Sequence, residues 1–260
     1  MNTYFISDTH LGSGLDSQQR ERQLVALLDA IRPQCHRLIL LGDMFDFWFS
    51  YRHVVPRGFC RLIGKLAQMA DEGVEIHYFI GNHDMWVFDY FEKEVGCIMH
   101  SEPTLMTIDG KQFLMGHGDG LGHLDKHYDF LKRIFRCRLN QRLFASIHPW
   151  VGMGIANRWS NHSRHHHDPA CFRYMGDDKE GIVLWCKEQL LQHPIDYCVF
   201  GHRHTPICKP ISLSMPDGSE RTSLYLNVGE WIHHRNYVSF DGSELLLHDL
   251  KFSSNDQPIF

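Results

Sequence analysis

The sequence predicts an α/β fold carrying a helical insertion, and three features support that prediction. Short continuous apolar runs alternate with amphipathic segments of helical period through the first 119 residues and again after residue 168, as expected of buried parallel strands linked by helices. Between residues 120 and 168 the alternation stops, and the chain becomes helical, aromatic and basic. After the last helical segment, turn signals separate short strand-like runs in the manner of antiparallel pairing. The expected organisation is a core of residues 1–119 and 169–260 with an inserted helical cap of residues 120–168.

In chain order, Tyr4-Phe5-Ile6-Ser7 reads as the first strand and runs into Asp8-Thr9-His10, whose carboxylate and imidazole point the same way in extended backbone. Leu24, Leu27, Leu28 and Ile31 then recur at helical spacing up to Arg32-Pro33, where proline favours a stop. Arg37-Leu38-Ile39-Leu40-Leu41 is a continuous run fit for a central strand, and it ends in Gly42-Asp43-Met44-Phe45-Asp46. For the aromatic cluster Phe47-Trp48-Phe49 with Tyr51, core packing is preferred over a hydrophobic wall beside a site. A second helix over residues 57–72 sets Phe59, Leu62, Ile63, Leu66 and Met69 on one face and stops at Gly73. The strand over residues 76–80 delivers Gly81-Asn82-His83-Asp84, which taken alone is equally a solvated turn. Strands over residues 104–108 and 112–115, joined by the hairpin signal Asp109-Gly110, lead into Gly116-His117-Gly118-Asp119.

In the insertion, eight Lys or Arg between Leu121 and His165 stand against Asp125 and Asp129, a local charge of +6 in a chain of net charge −5. Phe130, Leu131, Ile134, Phe135, Leu139, Leu143, Phe144, Trp150 and Trp159 are interleaved with them. Such basic amphipathic helices suit a solvated face or an anionic or membrane-surface ligand. The run His165-His166-His167 reads as a solvated loop in preference to a metal site. A helix over residues 179–192 and the strand Tyr197-Cys198-Val199-Phe200 then deliver Gly201-His202-Arg203-His204. Strands over residues 223–228, 236–240 and 244–248 complete the chain.

The composition narrows the function. With 260 residues and 43% hydrophobic content the chain supports a sizeable core, while its net charge and a pI near 6.5 give no global electrostatic case for nucleic acid, so no nucleic-acid partner is expected. No apolar run approaches the roughly 20 residues of a membrane span, and the first strand begins too early for a signal peptide. Eight scattered cysteines without a Cys-x-x-Cys pair read as reduced thiols of a cytoplasmic protein. The twenty histidines are the compositional outlier, since imidazole is the side chain most often recruited to transition metals near neutral pH.

Five strand-like runs end in potential ligands: Asp8 and His10, Asp43, Asn82, His117, then His202 and His204. The carboxyl ends of strands in α/β sheets converge on a common crevice, so these side chains are expected to meet. Seven ligands exceed the needs of one ion and suit two ions ~3.5 to 4 Å apart sharing a carboxylate, for which Asp43 is best placed. Imidazole, carboxylate and amide without thiolate favour Mn, Fe, Zn or Co.

Asp8-x-His10, Gly42-Asp43-x-x-Asp46, Gly81-Asn82-His83-Asp84, Gly116-His117-Gly118-Asp119 and Gly201-His202-x-His204 together resemble the five ordered blocks of the calcineurin-like metallophosphoesterases. The resemblance implies a two-sheet αββα sandwich. It also implies two divalent ions, with manganese expected and iron, zinc or cobalt as alternatives: one held by Asp8, His10, Asp43 and His204, the other by Asp43, Asn82, His117 and His202. His83 would contact the phosphoryl group or leaving oxygen, with Asp84 orienting it. The Gly42 to Trp48 block, the insertion after Asp119 and Asn227-Val228-Gly229-Glu230-Trp231 are most similar to the diphosphatases that cleave UDP-2,3-diacylglucosamine in lipid A synthesis. That similarity implies hydroxide attack on a lipid-linked sugar nucleotide to give UMP and 2,3-diacylglucosamine 1-phosphate. It further implies substrate contacts at Asn82, His83, Arg158, Ser160 and Arg164, and peripheral contact with the cytoplasmic face of the inner membrane. Those diphosphatases have Arg where this chain has His83. A phosphate leaving group, with a second pKa near 6, needs little protonation, whereas an alkoxide benefits from a general acid. Nucleotide, phosphodiester and phosphomonoester substrates therefore remain alternatives, as does a non-catalytic metal-binding scaffold.

Overall fold

The computed structural model describes residues 2–123, 126–166 and 174–259. Four parallel strands, β1 (Asn2–Ile6), β2 (Cys35–Leu40), β3 (Glu75–Phe79) and β4 (Ile98–His100), form the heart of the first sheet. The second sheet contains β5 (Thr104–Ile108), β6 (Lys111–Gly116), β7 (Tyr197–Phe200), β8 (Ile207–Ser214) and β9 (Glu220–Asn227), in the order β5-β6-β7-β9-β8. The chain then returns to the first sheet with β10 (Asn236–Phe240) and β11 (Leu245–Asp249), giving the order β11-β10-β1-β2-β3-β4. A short ribbon of β12 (Lys251–Phe252) and β13 (Pro258–Ile259) follows.

The period-2 alternation of each strand explains the layering. Phe5, Ile39, Leu41 and Phe79 of the first sheet meet Phe113, Met115, Val199 and Leu226 of the second, forming the interior of a sandwich. The alternate residues Tyr4, Ile6, Leu38 and Leu40 face outward onto helices α1 (Ser17–Ile31) and α2 (Cys60–Asp71), through Leu24, Leu27, Leu28, Leu62 and Leu66. Leu114, Cys198, Phe200 and Tyr225 lie under a helix spanning Gly181–Gln192 through Ile182, Val183, Cys186 and Leu190. The unbroken apolar strands therefore arise because one face meets the other sheet and the opposite face meets helices. Each fully buried Leu or Phe contributes on the order of 1.5 to 3 kcal/mol. The result is the expected αββα class.

Three helices occupy the insertion: α3 (Lys126–Arg136), α4 (Arg138–Ala145) and α5 (Pro149–His166); the Gly181–Gln192 helix is accordingly α6. The Trp86 indole donates to the Phe135 carbonyl at 2.9 Å, and Arg136 pairs with Glu102 at 2.5 Å, joining α3 to the sandwich. Phe144 of α4 packs on Phe47, Phe49 and Trp86.

Several details differ from the sequence expectations. Phe59 precedes α2 in left-handed backbone, φ 60°, and its ring still packs on Phe45 and Trp48. The aromatic cluster divides: Trp48 is fully buried against Phe45 and Phe91, while Phe47 and Phe49 turn toward the insertion. Strand β4, at three residues, is too short for its period to register, and β8 contains Pro210, which argues against a strand except at a sheet edge, where β8 lies. Strand β9 pairs in parallel with β7 and antiparallel only with β8. His165 and His166 continue the backbone of α5 instead of forming a loop, and His167 lies outside the described residues. Among the described residues, no helix is long and apolar enough to cross a membrane, and Cys35, Cys60, Cys97, Cys137, Cys186, Cys198 and Cys208 are free thiols.

Candidate metal centre

The loops after β1, β2, β3, β6 and β7 meet at one end of the sandwich, and hydrogen bonds within and between the sheets lock them together. Trp231 N–H donates to the Asp8 carbonyl at 3.0 Å, Gly201 N–H to the His117 carbonyl at 3.0 Å, and His117 Nδ1–H to the Leu41 carbonyl at 2.8 Å. Asn227 donates to the Gly201 carbonyl, which gives the Asn227 to Trp231 segment its place in the site. The recurrent glycines have a steric cause: a Cβ at Gly81 would fall on the Asp43 carboxylate, and one at Gly201 would fall on Ser7 Oγ, 2.5 Å from Asp8 Oδ2. Asp8, His10, Asp43, His202 and His204 all have left-handed backbone, with φ between 42° and 69°. Such a conformation costs on the order of 1 kcal/mol or more per residue and concentrates at functional sites. Arg20, wholly buried, ties the first of these loops by donating to the carbonyls of Thr9, His10 and Ser13 while pairing with Asp16 at 2.7 Å.

All seven expected ligands come together. Asp8 Oδ1 lies 3.2 Å from His204 Nε2 and 3.8 Å from His10 Nε2, while Oδ2 accepts from Ser7 Oγ and from His202 N–H. Asp43 Oδ1 accepts from His83 N–H at 2.8 Å. Its Oδ2 stands between the two halves of the cluster, 3.2 Å from His117 Nε2 and 3.9 Å from His10 Nε2. Asn82 Oδ1 is 3.1 Å from His117 Nε2, and the His117 and His202 rings meet edge on at 5.0 Å. Three groups among the described residues have donor atoms close enough to hold a cation: Asp8 with His10 and His204, Asp43 with His117 and His202, and His10 with Asp46 and His83, the last drawing Asp46 and His83 from outside the expected ligand set.

The electrostatics of the cluster call for positive charge. Burial works against a charged His10, yet Asp46 and Asp8 raise its pKa to about 10. His117 is likewise buried, and Asp43 holds it well above the ordinary imidazole value. Burial pushes against ionised Asp8 and Asp43 as well, but the surrounding imidazoles keep both far below the usual carboxylate range. Burial and the neighbouring His117 instead lower His202 to about 4. Asp8 Oδ1 and His10 Nδ1 have no hydrogen-bond partner despite their burial. A divalent cation satisfies such a donor set, replacing protons at the imidazoles and neutralising the carboxylates.

The surroundings of His83 depart from expectation. Asp84 accepts from Gly81 N–H at 2.8 Å, Met44 N–H at 2.9 Å and Tyr78 O–H at 2.6 Å, so it braces the loops after β2 and β3 and does not orient the His83 imidazole. Burial, then Asp43, raises its pKa to about 6. His83 is held by Asp46: Nδ1–H donates to the Asp46 carbonyl at 2.9 Å, and Asp46 Oδ1 lies 3.8 Å from the same nitrogen and 3.7 Å from His10 Nδ1. Sequence reasoning placed Asp46 in a motif without a role, although its position three residues after Asp43 was the available signal. It also missed Asp119, which accepts from Tyr128 O–H at 2.8 Å and pairs with Lys132 at 2.6 Å.

Beside this cluster opens a cavity of about 380 Å³. Asp46, Asn82 and His83 border it on the metal side, while Phe47, Trp86, Leu131, Phe135, Phe144 and Ile155 form most of its apolar wall. Of the remaining expected substrate contacts, Arg158 is exposed on α5, and the side chains of Ser160 and Arg164 lie outside the described residues.

A two-sheet sandwich delivering a His/Asp cluster from five strand ends defines a metal-dependent phosphoesterase, and residues 1–206 match the model of the calcineurin-like phosphoesterase family, to which the chain belongs. Among individual proteins, the chain is 38% identical to UDP-2,3-diacylglucosamine hydrolase from Porphyromonas gingivalis, covering 95% of this chain and 97% of that protein. It is 27% identical to the UDP-2,3-diacylglucosamine hydrolase of Nitrosococcus oceani, over 92% and 91% of the two chains. Among solved structures it is similar to the phosphoesterase YfcE from E. coli, with a TM-score of 0.43 and 14% identity over 100% of this chain and 97% of that one.

Proposed function

We propose that the protein hydrolyses the diphosphate of UDP-2,3-diacylglucosamine to UMP and 2,3-diacylglucosamine 1-phosphate. The observation that carries this reading is the apolar cavity joined to the His/Asp cluster through Asn82 and His83. A phosphodiester or phosphomonoester with a polar leaving group has no use for a wall of Phe47, Trp86, Phe135 and Phe144, whereas acyl chains do. The relatives' names point to the same substrate.

In this reading residues 120–168 act as a cap on the core of residues 1–119 and 169–260. Asp8, His10, Asp43 and His204 hold one divalent ion, and Asp43, Asn82, His117 and His202 hold the other, manganese being the expected metal. The central position of Asp43 Oδ2, facing both His10 and His117, supports its shared role. When bound, the ions supply Lewis acidity for water and for phosphoryl oxygens. The chain itself orients the substrate. Asn82 and His83 face the diphosphate, Asp46 holds the His83 ring, Asp84 keeps the supporting loops in place, and the cavity excludes water from the lipid. Arg158, Ser160 and Arg164 on α5 remain proposed contacts, since Ile155 and Ala156 of that helix line the cavity. Exposed Phe130, Leu139, Leu143 and Trp150, beside Arg138 and Arg142, support contact of the cap with the anionic cytoplasmic face of a membrane.

Incubating the purified protein and Mn with UDP-2,3-diacylglucosamine should release UMP. No release above a metal-free control overturns the substrate assignment. The same assay run with a nucleoside phosphodiester and a phosphomonoester tests the second reading, which the imidazole at His83 favours because it can protonate a poorer leaving group.

A further inference from the structure

Lys132 lies at the junction of the metal cluster and the apolar cavity. It borders the large cavity alongside Asn82 and His83, and also lines a smaller one alongside His117 and Asp119. Among the described residues lining the large cavity it is the one permanent cation. Its ammonium donates to the Asp119 carbonyl at 3.0 Å and pairs with the Asp119 carboxylate at 2.6 Å, while Tyr128, one helical turn earlier on α3, donates to that same carboxylate. An ammonium has three N–H bonds. Two are accounted for by Asp119, which fixes an otherwise flexible side chain with one donor remaining for an anion. The site carries an imidazole at position 83, which leaves Lys132 as the fixed side-chain cation among the described residues lining that cavity.

We propose that Lys132 binds the leaving phosphate of the substrate, the sugar 1-phosphate, and stabilises the charge it gains. This rests on the diphosphatase reading above. When water adds to the phosphorus of the uridylyl group, the bond from that phosphorus to the bridging oxygen breaks, its electron pair stays on the sugar phosphate, and the proton shed by the water passes to solvent. The charge developing there meets the ammonium without any proton changing hands at Lys132. Asp119 serves as its positioning residue, tying the anion contact on α3 to the loop that carries His117.

The test compares wild type with Lys132→Met, which keeps apolar bulk, and Lys132→Arg, which keeps charge. Two substrates are used: UDP-2,3-diacylglucosamine, with a phosphate leaving group, and bis(4-nitrophenyl) phosphate, with an aryl oxide leaving group. Losing a charge-assisted hydrogen bond should lower kcat/KM of the Met variant on the diphosphate by about 10- to 100-fold, against less than about threefold on the aryl diester, with Arg restoring most of the loss. An equal fall on both substrates would mean that Lys132 only anchors α3, and no fall on the diphosphate would mean that it touches nothing relevant; either overturns the proposal. Calorimetry with 2,3-diacylglucosamine 1-phosphate and with its dephosphorylated form gives a second readout. The preference for the phosphorylated form should shrink about tenfold or more in the Met variant, and an unchanged preference refutes the assignment. Wild type that releases no UMP would instead refute the substrate reading on which the proposal stands.

Discussion

Asp84 and Asp46 show how far a motif can be read at the scale of single residues. Adjacency in sequence made Asp84 the natural partner of His83, but neighbouring side chains in a tight turn diverge, and the donors that capture Asp84 come from Met44, Tyr78 and Gly81. One of those hydrogen bonds reaches the loop after β2 and another reaches strand β3, so Asp84→Ala should destabilise the fold by about 3 kcal/mol, by leaving buried donors unsatisfied. Urea unfolding followed by circular dichroism measures this, and a midpoint unchanged from wild type would remove Asp84 from the support of the site. The His83 partner is Asp46, whose position three residues after Asp43 marks it as part of a block without saying which side chain it holds. The seven ligand positions were legible because each follows an apolar run in a recognisable block, whereas the buried Arg20 that clamps the first block has only a polar helix sequence around it.

At the scale of elements, the strands and core helices follow from periodicity, and the errors fall where periodicity is weak. Three-residue β4 is too brief to show alternation, and β8 interrupts its own pattern with Pro210. The entry to the insertion is more informative. Gly122 has φ 77°, and a Cβ there would lie 2.5 Å from the Gly181 carbonyl oxygen at the start of α6, so the backbone just after Asp119 packs directly on the N-terminus of α6. Gly122→Ala should therefore cost about 2 kcal/mol or more, from left-handed strain and overpacking together. Because the contact adjoins the loop of His117, the variant should lose diphosphate hydrolysis beyond what its lower melting temperature explains. Thermal melts and UMP release on the same preparation test this, and an Ala variant that matches wild type in both would show that the contact can relax.

For the molecule as a whole, the cluster predicts that folding and metal binding are coupled. Asp8 and Asp43 are buried carboxylates whose neighbours include four imidazoles, and Asp8 Oδ1 is left without a hydrogen bond. Occupancy at about a hundred times the dissociation constant would add roughly 2.7 kcal/mol, or on the order of 5 to 10 °C in a chain of this size. Adding EDTA should lower the melting temperature by that amount and abolish hydrolysis, and restoring Mn should reverse both. A melting temperature insensitive to chelation would argue against ions at these residues. The sequence by itself determined the strand runs, the strand-end positions of the seven candidate ligands, the helical nature of residues 126–166 and the αββα class, because hydrophobic period and strand-end chemistry are local properties. Only the tertiary structure decided which strands share a sheet, so that β1, β2 and β3 of one and β6 and β7 of the other bring the candidate ligands to a common edge. It also decided that Asp46 holds His83, and that Phe47 leaves the core to wall a cavity with Phe135 and Phe144. Each of these depends on contacts between residues dozens of positions apart, whose geometry is set by how the sheets pack.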